Sequence, residues 1–407
     1  MPLNSETIAQ GTVTSPKGFL AGATYVGLKN SGGEALDLGI LYSKVPCAAA
    51  GVFTTSKIKA APVLLCQRHL INNRAQSIVV NSGCANACTG EQGMLDAEEM
   101  AAITATKLGL PSEDVLVAST GIIGTALPME LVRNGIERVT PSTESGHRLA
   151  RAIITTDTFP KEIAVRVRLE HEENELTIGG IAKGSGMIHP DLATLLCFLT
   201  TDAAVDPGFL QKSLKQAVDA SFNMVTIDGD TSPNDSVIIM ANGLAGNEVM
   251  DGGGPGAREF QEALEGVCLF LAKWIARDGE GATRLIEVTV DGAVTVAQAR
   301  SGARTVASSP LVKAAVHGSD PNWGRIVAAL GRSGVEMLES RIDLYVRGVC
   351  LVKNGVALPF DREHVKSLLD DSEVPIRVCL NLGEASATAW GCDLSEEYVT
   401  INSEYTT

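Results

Sequence analysis

Aromatic residues and positive charge are both scarce in this sequence of 407 residues. Phe, Trp and Tyr make up 4% of the chain, and 33 Lys and Arg are outnumbered by 48 Asp and Glu, for a formal net charge of −15. Nucleic-acid binding relies on positive charge for the phosphates and, on single strands, on aromatic side chains for the bases. The composition therefore argues against nucleic acid, and against an anionic membrane surface, as a partner.

Long apolar runs and targeting signals are also lacking. No run approaches the roughly 20 apolar residues that a transmembrane helix needs, and residues 1–6 show neither the basic nor the apolar region of a signal peptide. The nine cysteines are odd in number and scattered, which is typical of reduced thiols rather than a disulfide framework. We therefore expect a cytoplasmic protein without a membrane segment.

The composition that remains is that of a globular protein with a large core. Hydrophobic residues make up 45% of the chain, and short strand-like runs are mixed with helical periodicities without strict alternation, which predicts a layered α+β fold. The predicted strands are 76–81, 114–118, 285–290, 341–352, 374–381 and 397–401. A hairpin is predicted over 161–181, a turn at 353–355, helices over 208–222 and 258–277, and a helix start at Ser309-Pro310.

The common metal and cofactor patterns are incomplete in this chain. Asp228 opens a segment that resembles a calcium loop, but Pro233 and Ile239 stand where that loop needs Gly and a bidentate Glu. Cys84 and Cys88 are not followed by a second pair at zinc spacing. Phosphate-binding glycine motifs and the serine-hydrolase elbow are missing. We therefore predict neither a metal nor a resident cofactor.

The segment 182–196 contains a candidate nucleophile. Lys183 and a Gly-Ser-Gly loop lead to Pro190, and Ala193 then precedes Thr194 at the start of an apolar run. A Thr hydroxyl needs an adjacent base, and cleavage of the chain before Thr194 would supply one, because a free α-amino group has a pKa near 8. From the residues alone, a loop that simply enters a core strand is the favoured interpretation, because Ala-Thr is a common pair.

Seven segments together resemble the ornithine acetyltransferase, or glutamate N-acetyltransferase, family of arginine biosynthesis (ArgJ). They lie in the family's order along nearly the whole chain: 119–124, 155–161, 183–194, 222–232, 277–283, 319–325 and 401–407. The most specific of them is 183–194, which is similar to the self-cleavage motif of that family.

The resemblance implies a fold, an assembly and a division of the chain. The fold would be a four-layer αββα sandwich with a smaller C-terminal α/β domain. Self-cleavage between Ala193 and Thr194 would give an α chain of residues 1–193 and a β chain whose part 194–284 completes the core. Residues 285–407 would form the C-terminal domain, with a tail that returns to the active site. Two α and two β chains would assemble as an α2β2 heterotetramer.

The resemblance also implies a reaction and its residues. Thr194 would take the acetyl group of N-acetylornithine as an ester and pass it to glutamate in a ping-pong reaction. Thr120 and the backbone N–H of Gly121 would hold the oxyanion. Substrate contacts would come from Thr155, Lys183, Thr194, Glu280, Asn402 and Thr407. Some members of the family also accept acetyl-CoA as a co-substrate, and no residue here decides whether this chain does.

Two other functions remain open at this point. One is a self-cleaving amidase or aminopeptidase, with water in place of glutamate as the acceptor. The other is a small-molecule binding protein that keeps the scaffold and does not cleave itself. The sequence also departs from the family pattern at Cys84 and Leu192, and at Asp191, whose charge lies three residues from Thr194 and could raise the pKa of its amine or slow cleavage.

Overall fold

The computed structural model describes residues 4–29, 35–170, 175–189 and 195–404. Ala193 and Thr194 of the predicted cleavage site, Asp191 and the C-terminal Thr407 lie outside these described residues.

The described residues form fifteen strands and eleven α-helices. The strands are β1 Ser5–Thr7, β2 Phe19–Thr24, β3 Leu38–Phe53, β4 Arg74–Cys84, β5 Val115–Ile122, β6 Lys161–Arg168, β7 Glu175–Lys183, β8 Leu196–Thr201, β9 Ser236–Ala241, β10 Leu285–Ala293, β11 Asp343–Val346, β12 Val349–Lys353, β13 Val356–Ala357, β14 Glu373–Cys379 and β15 Ala385–Cys392. The helices are α1 Ala61–His69, α2 Gly90–Leu108, α3 Met129–Arg138, α4 Gly146–Ile153, α5 Pro207–Ala220, α6 Ala257–Arg277, α7 Val296–Ala307, α8 Pro310–His317, α9 Trp323–Gly331, α10 Arg362–Leu369 and α11 Glu396–Glu404.

The first sheet is divided into two halves by the long strand β3. Its strand order is β1-β6-β7-β8-β9-β3-β4-β5, and β2 pairs with β3 outside this path. The first residues of β3 pair with β2 and β4, and residues 48–53 pair with β9. The register against β4 shifts between Tyr42 and Cys47, an irregularity that bends a strand. The strand thus passes from one half of the sheet to the other.

The two halves pack face to face between two layers of helices. One core cluster joins Ile78 and Leu116 of the first half to Phe198 and Ile238 of the second. Helices α1–α3 share a second cluster with the alternate residues of β4 and β5, such as Val79. Helices α5 and α6 pack with the alternate residues of β7–β9. The order of layers is α, β, β, α, so the α+β class and the four-layer prediction are confirmed.

The second sheet lies entirely between residues 285 and 392. Its strand order is β13-β12-β11-β14-β10-β15, and α7 packs against β10 and β15. The core is continuous across its boundary, because Ile275 of α6 and Ile286 of β10 belong to one apolar cluster. The division of the chain at 193/194 and at 284/285 stays a prediction.

Most elements predicted from the sequence pattern are confirmed. Strands β4, β5, β10 and β14, the β6–β7 hairpin and helices α5 and α6 lie where they were expected, and α8 begins at Pro310. The turn between β12 and β13 has Asn354 and Gly355 with positive φ, as a two-residue hairpin loop requires.

Two predicted strands are wrong in whole or in part. The segment 341–352 is not one strand, because a turn at Arg347 and Gly348, both with positive φ, separates β11 from β12. The segment 397–401 is not a strand but lies within helix α11. Its β-branched residues suggested an extended chain, but Glu396 and Glu397 occupy the first turn of the helix, where acidic side chains stabilise the helix dipole.

Two further observations concern membrane-spanning helices and the state of the cysteines. Among the described residues, none of the helices has both the length and the apolar character needed to cross a bilayer. All nine cysteines are described, and each is a free thiol.

Candidate active site

A polar cleft opens where β5 and β7 end and where the tail helix α11 approaches them. The cleft, together with the open solvent at its mouth, has an empty volume of about 600 Å³. Its lining comes from six separated parts of the chain: Thr120, Gly121, Ile123, Thr155, Thr156, Lys183, Gly186, Met187, Ser232, Asn234, Glu280 and Asn402. The fold thus brings residues from distant parts of the sequence, such as Thr120 and Asn402, into one cleft.

The end of strand β5 contributes Thr120 and Gly121 to the lining of this cleft. Gly121 has a φ of 130°, and a Cβ atom at this position would collide with the backbone of Gly83 on the neighbouring strand, so only glycine fits. The side-chain amide of Asn234 donates to the carbonyl oxygens of Ser119 (2.8 Å) and Ala85 (2.6 Å). These contacts fix the backbone directly before Thr120, so its hydroxyl and the Gly121 N–H are held in place.

Glu280 is the acidic group of the cleft, and its contacts fix both carboxylate oxygens. Thr156 Oγ1 donates to Oε1 (2.7 Å), and Asn402 Nδ2 donates to Oε2 (2.8 Å). Thr156 is in turn 2.6 Å from the hydroxyl of Ser185, which donates to it because the single proton of Thr156 is used on Glu280. The backbone of Gly186 lies directly against the carboxylate, where a Cβ atom would collide with it. Glu280 is therefore fixed for contact with a cation.

Lys183 is the basic group of the cleft, and it is almost completely buried. Its ammonium Nζ lies 4.0 Å from Asp157 Oδ2, which is longer than a hydrogen bond. Burial lowers the pKa of Lys183, the charge of Asp157 opposes this effect, and the charge of Lys161 adds to it. Lys183 lines the cleft, and among the described residues no carboxylate lies within hydrogen-bond distance of its ammonium group. A ligand carboxylate would therefore complete its surroundings.

A buried network of charges supports this side of the cleft. Lys161 Nζ contacts Asp157 Oδ1 and Asp278 Oδ2, each at 2.6 Å. Asp157 also accepts hydrogen bonds from the backbone N–H groups of Thr155 and Gly184. Burial alone would raise the pKa of Asp157, but Lys161, Lys183 and the Gly184 N–H together lower it to about 2. Asp157 is therefore a carboxylate at neutral pH that holds both Thr155 and the residue after Lys183.

The strand that follows the predicted cleavage site begins beside the cleft. Leu195 N donates to Asp235 Oδ1 (2.9 Å), and the Leu195 carbonyl accepts from Ser236 N (3.1 Å). Ser232 and Asn234, which precede these contacts on the same loop, line the cleft. The chain directly after Thr194 is thus fixed to a loop of the cleft wall.

The structure brings together all the predicted site residues that it describes. Thr120, Gly121, Thr155, Lys183, Glu280 and Asn402 line the cleft, whereas Ala193, Thr194 and Thr407 lie outside the described residues. The roles of all these residues stay predictions.

Sequence reasoning missed several polar residues of the site. They are Thr156, Asp157, Ser185, Asn234 and Asp235. Thr156 and Asp157 lie inside segment 155–161, which carries the family resemblance, but Thr155 alone was predicted from that segment as a site residue. Asn234 and Asp235 lie in the acidic segment that resembles a calcium loop, which instead holds the backbone of the cleft wall.

Comparison with known proteins places the whole chain in one family. A sequence model of the ArgJ family matches residues 20–407. The arginine biosynthesis bifunctional protein ArgJ of Dehalococcoides mccartyi (strain CBDB1) is 51% identical over 407 residues, which is 100% of both chains. The protein of the same name from Symbiobacterium thermophilum is 51% identical over 399 residues, or 98% of this chain and 99% of the relative.

A solved structure is similar to about half of the chain. The crystal structure of the arginine biosynthesis bifunctional protein ArgJ from Bacillus halodurans is 44% identical, with a TM-score of 0.50, and covers 51% of this chain and 97% of the solved chain. The resemblance read from the seven motif segments, and with it the prediction of an acetyltransferase enzyme, is confirmed at the level of the family: the chain belongs to the ArgJ family.

Proposed function

We propose that this chain transfers an acetyl group from N2-acetylornithine to glutamate through an acetyl ester on Thr194, after it has cleaved itself between Ala193 and Thr194. The observation that carries the proposal is the cleft itself. Its lining brings Thr120 and Gly121, the predicted oxyanion donors, together with a fixed carboxylate, Glu280, and a buried ammonium group, Lys183. An amino acid with a second charged end presents the complementary groups.

The charges of the cleft match the donor substrate. The carboxylate of N-acetylornithine would pair with Lys183, and its side-chain ammonium group would pair with Glu280. Both pairs form in a partly buried cleft, where the interaction between opposite charges is stronger than in water. With the two ends held, the acetyl amide, which branches from the carbon that carries the carboxylate, is fixed in position for a nucleophile and the oxyanion donors.

Self-cleavage would create the nucleophile and its base in one step. The Thr194 hydroxyl attacks the acetyl carbonyl, the free α-amino group of Thr194 takes the hydroxyl proton, and Thr120 and Gly121 stabilise the negative oxygen that forms. Ornithine leaves with a proton from the same amine. Glutamate then attacks the acetyl ester through its own amine, and N-acetylglutamate departs. The loss of one oxyanion donor typically slows such a reaction about 100- to 1,000-fold.

Two comparisons support the cleaved and bifunctional form of the protein. The solved Bacillus halodurans chain is matched almost entirely yet covers 51% of this chain, as expected if the relative consists of two shorter chains. The relatives are named bifunctional, which supports acetyl-CoA as a second acetyl donor for glutamate. We further propose that the cleaved chains assemble as an α2β2 heterotetramer in the cytoplasm.

The proposal is tested by mass measurement and by assay of the purified protein. Under denaturing conditions we expect two chains, residues 1–193 and 194–407, and Thr194→Ala should leave one chain of full length. N-acetylornithine with glutamate should then give ornithine and N-acetylglutamate in equal amounts, and acetyl-CoA with glutamate should give N-acetylglutamate and free CoA.

The acceptor distinguishes this reaction from hydrolysis. If ornithine appears equally fast when glutamate is omitted, water is the acceptor and the chain is an amidase. If the chain stays intact and binds N-acetylornithine without turnover, it is a binding protein, and the acetyl-transfer proposal is wrong.

A further inference from the structure

Asp235 is a buried carboxyl group that the reaction described above does not use. It is fully buried and directly precedes strand β9. Its Oδ1 accepts the Leu195 N–H at 2.9 Å. Leu195 directly follows Thr194 in the sequence, so this carboxyl group is hydrogen-bonded to the chain one residue after the predicted nucleophile.

The second oxygen of Asp235 is in a different situation. Its Oδ2 is buried, and it has no hydrogen-bond partner among the described residues. A buried polar atom without a partner costs free energy and calls for a functional or structural reason. Asp202 shows the ordinary case in the same fold, because its two oxygens accept the backbone N–H groups of Thr177 (2.7 Å) and Lys17 (3.0 Å).

The surroundings of Asp235 favour its protonated form. Burial raises the pKa of Asp235 well above its ordinary value, and the Leu195 N–H and the charge of Lys183 only partly oppose this effect. A carboxyl group with a raised pKa keeps its proton to a higher pH than an ordinary carboxyl group, and it can donate that proton as a general acid does. Lys183 is the charged side chain that faces it.

We propose that Asp235 supplies the proton that lets the chain cleave before Thr194, and that its carboxylate then pairs with the new α-ammonium group. This inference rests on the proposed self-cleavage and adds the proton donor to it. The Thr194 oxygen bonds to the Ala193 carbonyl carbon, the bond from that carbon to the Thr194 nitrogen breaks, and the electron pair stays on the nitrogen.

The protons balance in this step. The nitrogen begins with one proton, receives a second from Asp235 and a third from the Thr194 hydroxyl, and ends as an ammonium group beside a carboxylate. Water then hydrolyses the ester and leaves the carboxyl group of Ala193. In later acetyl transfer, the Asp235 carboxylate would stabilise the ammonium group that forms each time the amine takes the hydroxyl proton.

The test compares Asp235→Asn with Asp202→Asn as a matched control. Both replacements keep the shape of a buried side chain and remove its acidic proton, but Asp202 lies at the far end of β8, roughly 20 Å along the strand. Full-length chains would be pulse-labelled in cell-free synthesis and diluted into buffers from neutral to mildly alkaline pH. The rate of cleavage is then read from a denaturing gel, and thermal unfolding reports on folding.

We expect Asp235→Asn to slow cleavage about 100-fold or more, the usual contribution of a general acid, and to remove the pH dependence. The wild-type rate should fall as pH rises through the raised pKa of Asp235, because only the protonated group can donate. Asp202→Asn should cleave as the wild type does, even if its unfolding temperature drops.

Other results would overturn the inference. If Asp235→Asn cleaves as fast as the wild type, or more slowly but with the wild-type pH dependence, Asp235 does not supply the proton. If the wild type itself stays uncleaved, the proposed function is wrong in its first step, which is a separate outcome from a failure of Asp235 alone.

Discussion

The charge of Lys183 depends on a balance between burial and its neighbours. Burial lowers its pKa from the ordinary 10.5, and Asp157 opposes this effect from 4.0 Å. A buried ammonium group without a hydrogen-bonded anion is costly, so a ligand carboxylate would bind strongly here and would favour the charged form of Lys183. The same balance makes substrate binding sensitive to alkaline pH.

Lys183→Met should therefore raise KM for both N-acetylornithine and glutamate by about 10- to 100-fold, because a hydrogen bond to a charged group contributes about 1.5–3 kcal/mol. In the wild type, KM should rise as pH increases through the lowered pKa of Lys183, at a lower pH than for an ordinary lysine. Steady-state kinetics across a pH series checks both. Lys215→Met, at an exposed ion pair with Asp219, is the control, and an unchanged KM in Lys183→Met would remove Lys183 from the binding site.

The residues of the site were predictable to different degrees. Lys183, Glu280 and Asn402 were found because a family motif marks them, and the bare residues would not have shown that they meet. Asn234 was missed because its amide acts on the carbonyl of Ser119, 115 positions away. Local sequence patterns carry no information about such a contact, which arises only when β5 and the loop before β9 come together.

At the scale of secondary-structure elements, one charge network joins the parts that surround the cleft. Lys161 begins β6, Asp157 precedes it, and Asp278 directly follows α6. The side chains of Lys161 and Asp157 are completely buried, so their mutual attraction replaces lost hydration. The network fixes the end of α6 against the β6–β7 hairpin, and Glu280 follows two residues later.

Lys161→Met should destabilise the protein by about 3–5 kcal/mol, because it leaves two buried carboxyl groups without their cation. Urea unfolding measures this loss. Arg133→Met, which breaks an exposed pair with Glu99, should lower the stability far less, because solvent screens a surface ion pair. Equal losses in the two variants would contradict the structural role of the network.

The same network predicts how stability depends on acid. The pKa of Asp157 is lowered from 3.8 to about 2. Its carboxylate therefore contributes its full stabilisation of the fold at pH values above the ordinary pKa of 3.8. This contribution is lost as the pH falls toward 2. In Lys161→Met the pKa of Asp157 should rise, and the acid-dependent loss of stability should shrink.

Element prediction succeeded where periodicity and burial agree, as in α6 and the β6–β7 hairpin. It failed at 397–401, where β-branched residues suggested a strand and the chain forms α11. In that helix Asn402 reaches both Glu280 and the carbonyl of Tyr398, so a tertiary contact overrides a weak local preference. Strand order in the first sheet was not predictable, because it depends on how distant strands pair.

At the scale of the whole molecule, the two predicted chains are interleaved in one sheet. Strands β8 and β9 follow residue 194 and lie side by side. On one side β8 pairs with β7, from Ile178 with Thr201 to Lys183 with Leu196. On the other side β9 pairs with β3, from Ala48 with Ala241 to Phe53 with Ser236. The second chain thus fills the centre of a sheet whose two flanks belong to the first.

This arrangement predicts that cleavage does not separate the chains. Both edges of the β8–β9 pair would lose their ladder hydrogen bonds if the chains parted, and the shared cluster around Phe198 and Ile78 would be exposed to water. The cleaved protein should therefore elute as a single species on native size-exclusion chromatography, and native mass spectrometry should find both chains in equal numbers. Heating should give one cooperative transition in which both chains unfold together. Elution of residues 1–193 apart from 194–407 without denaturant would contradict the interleaved sheet.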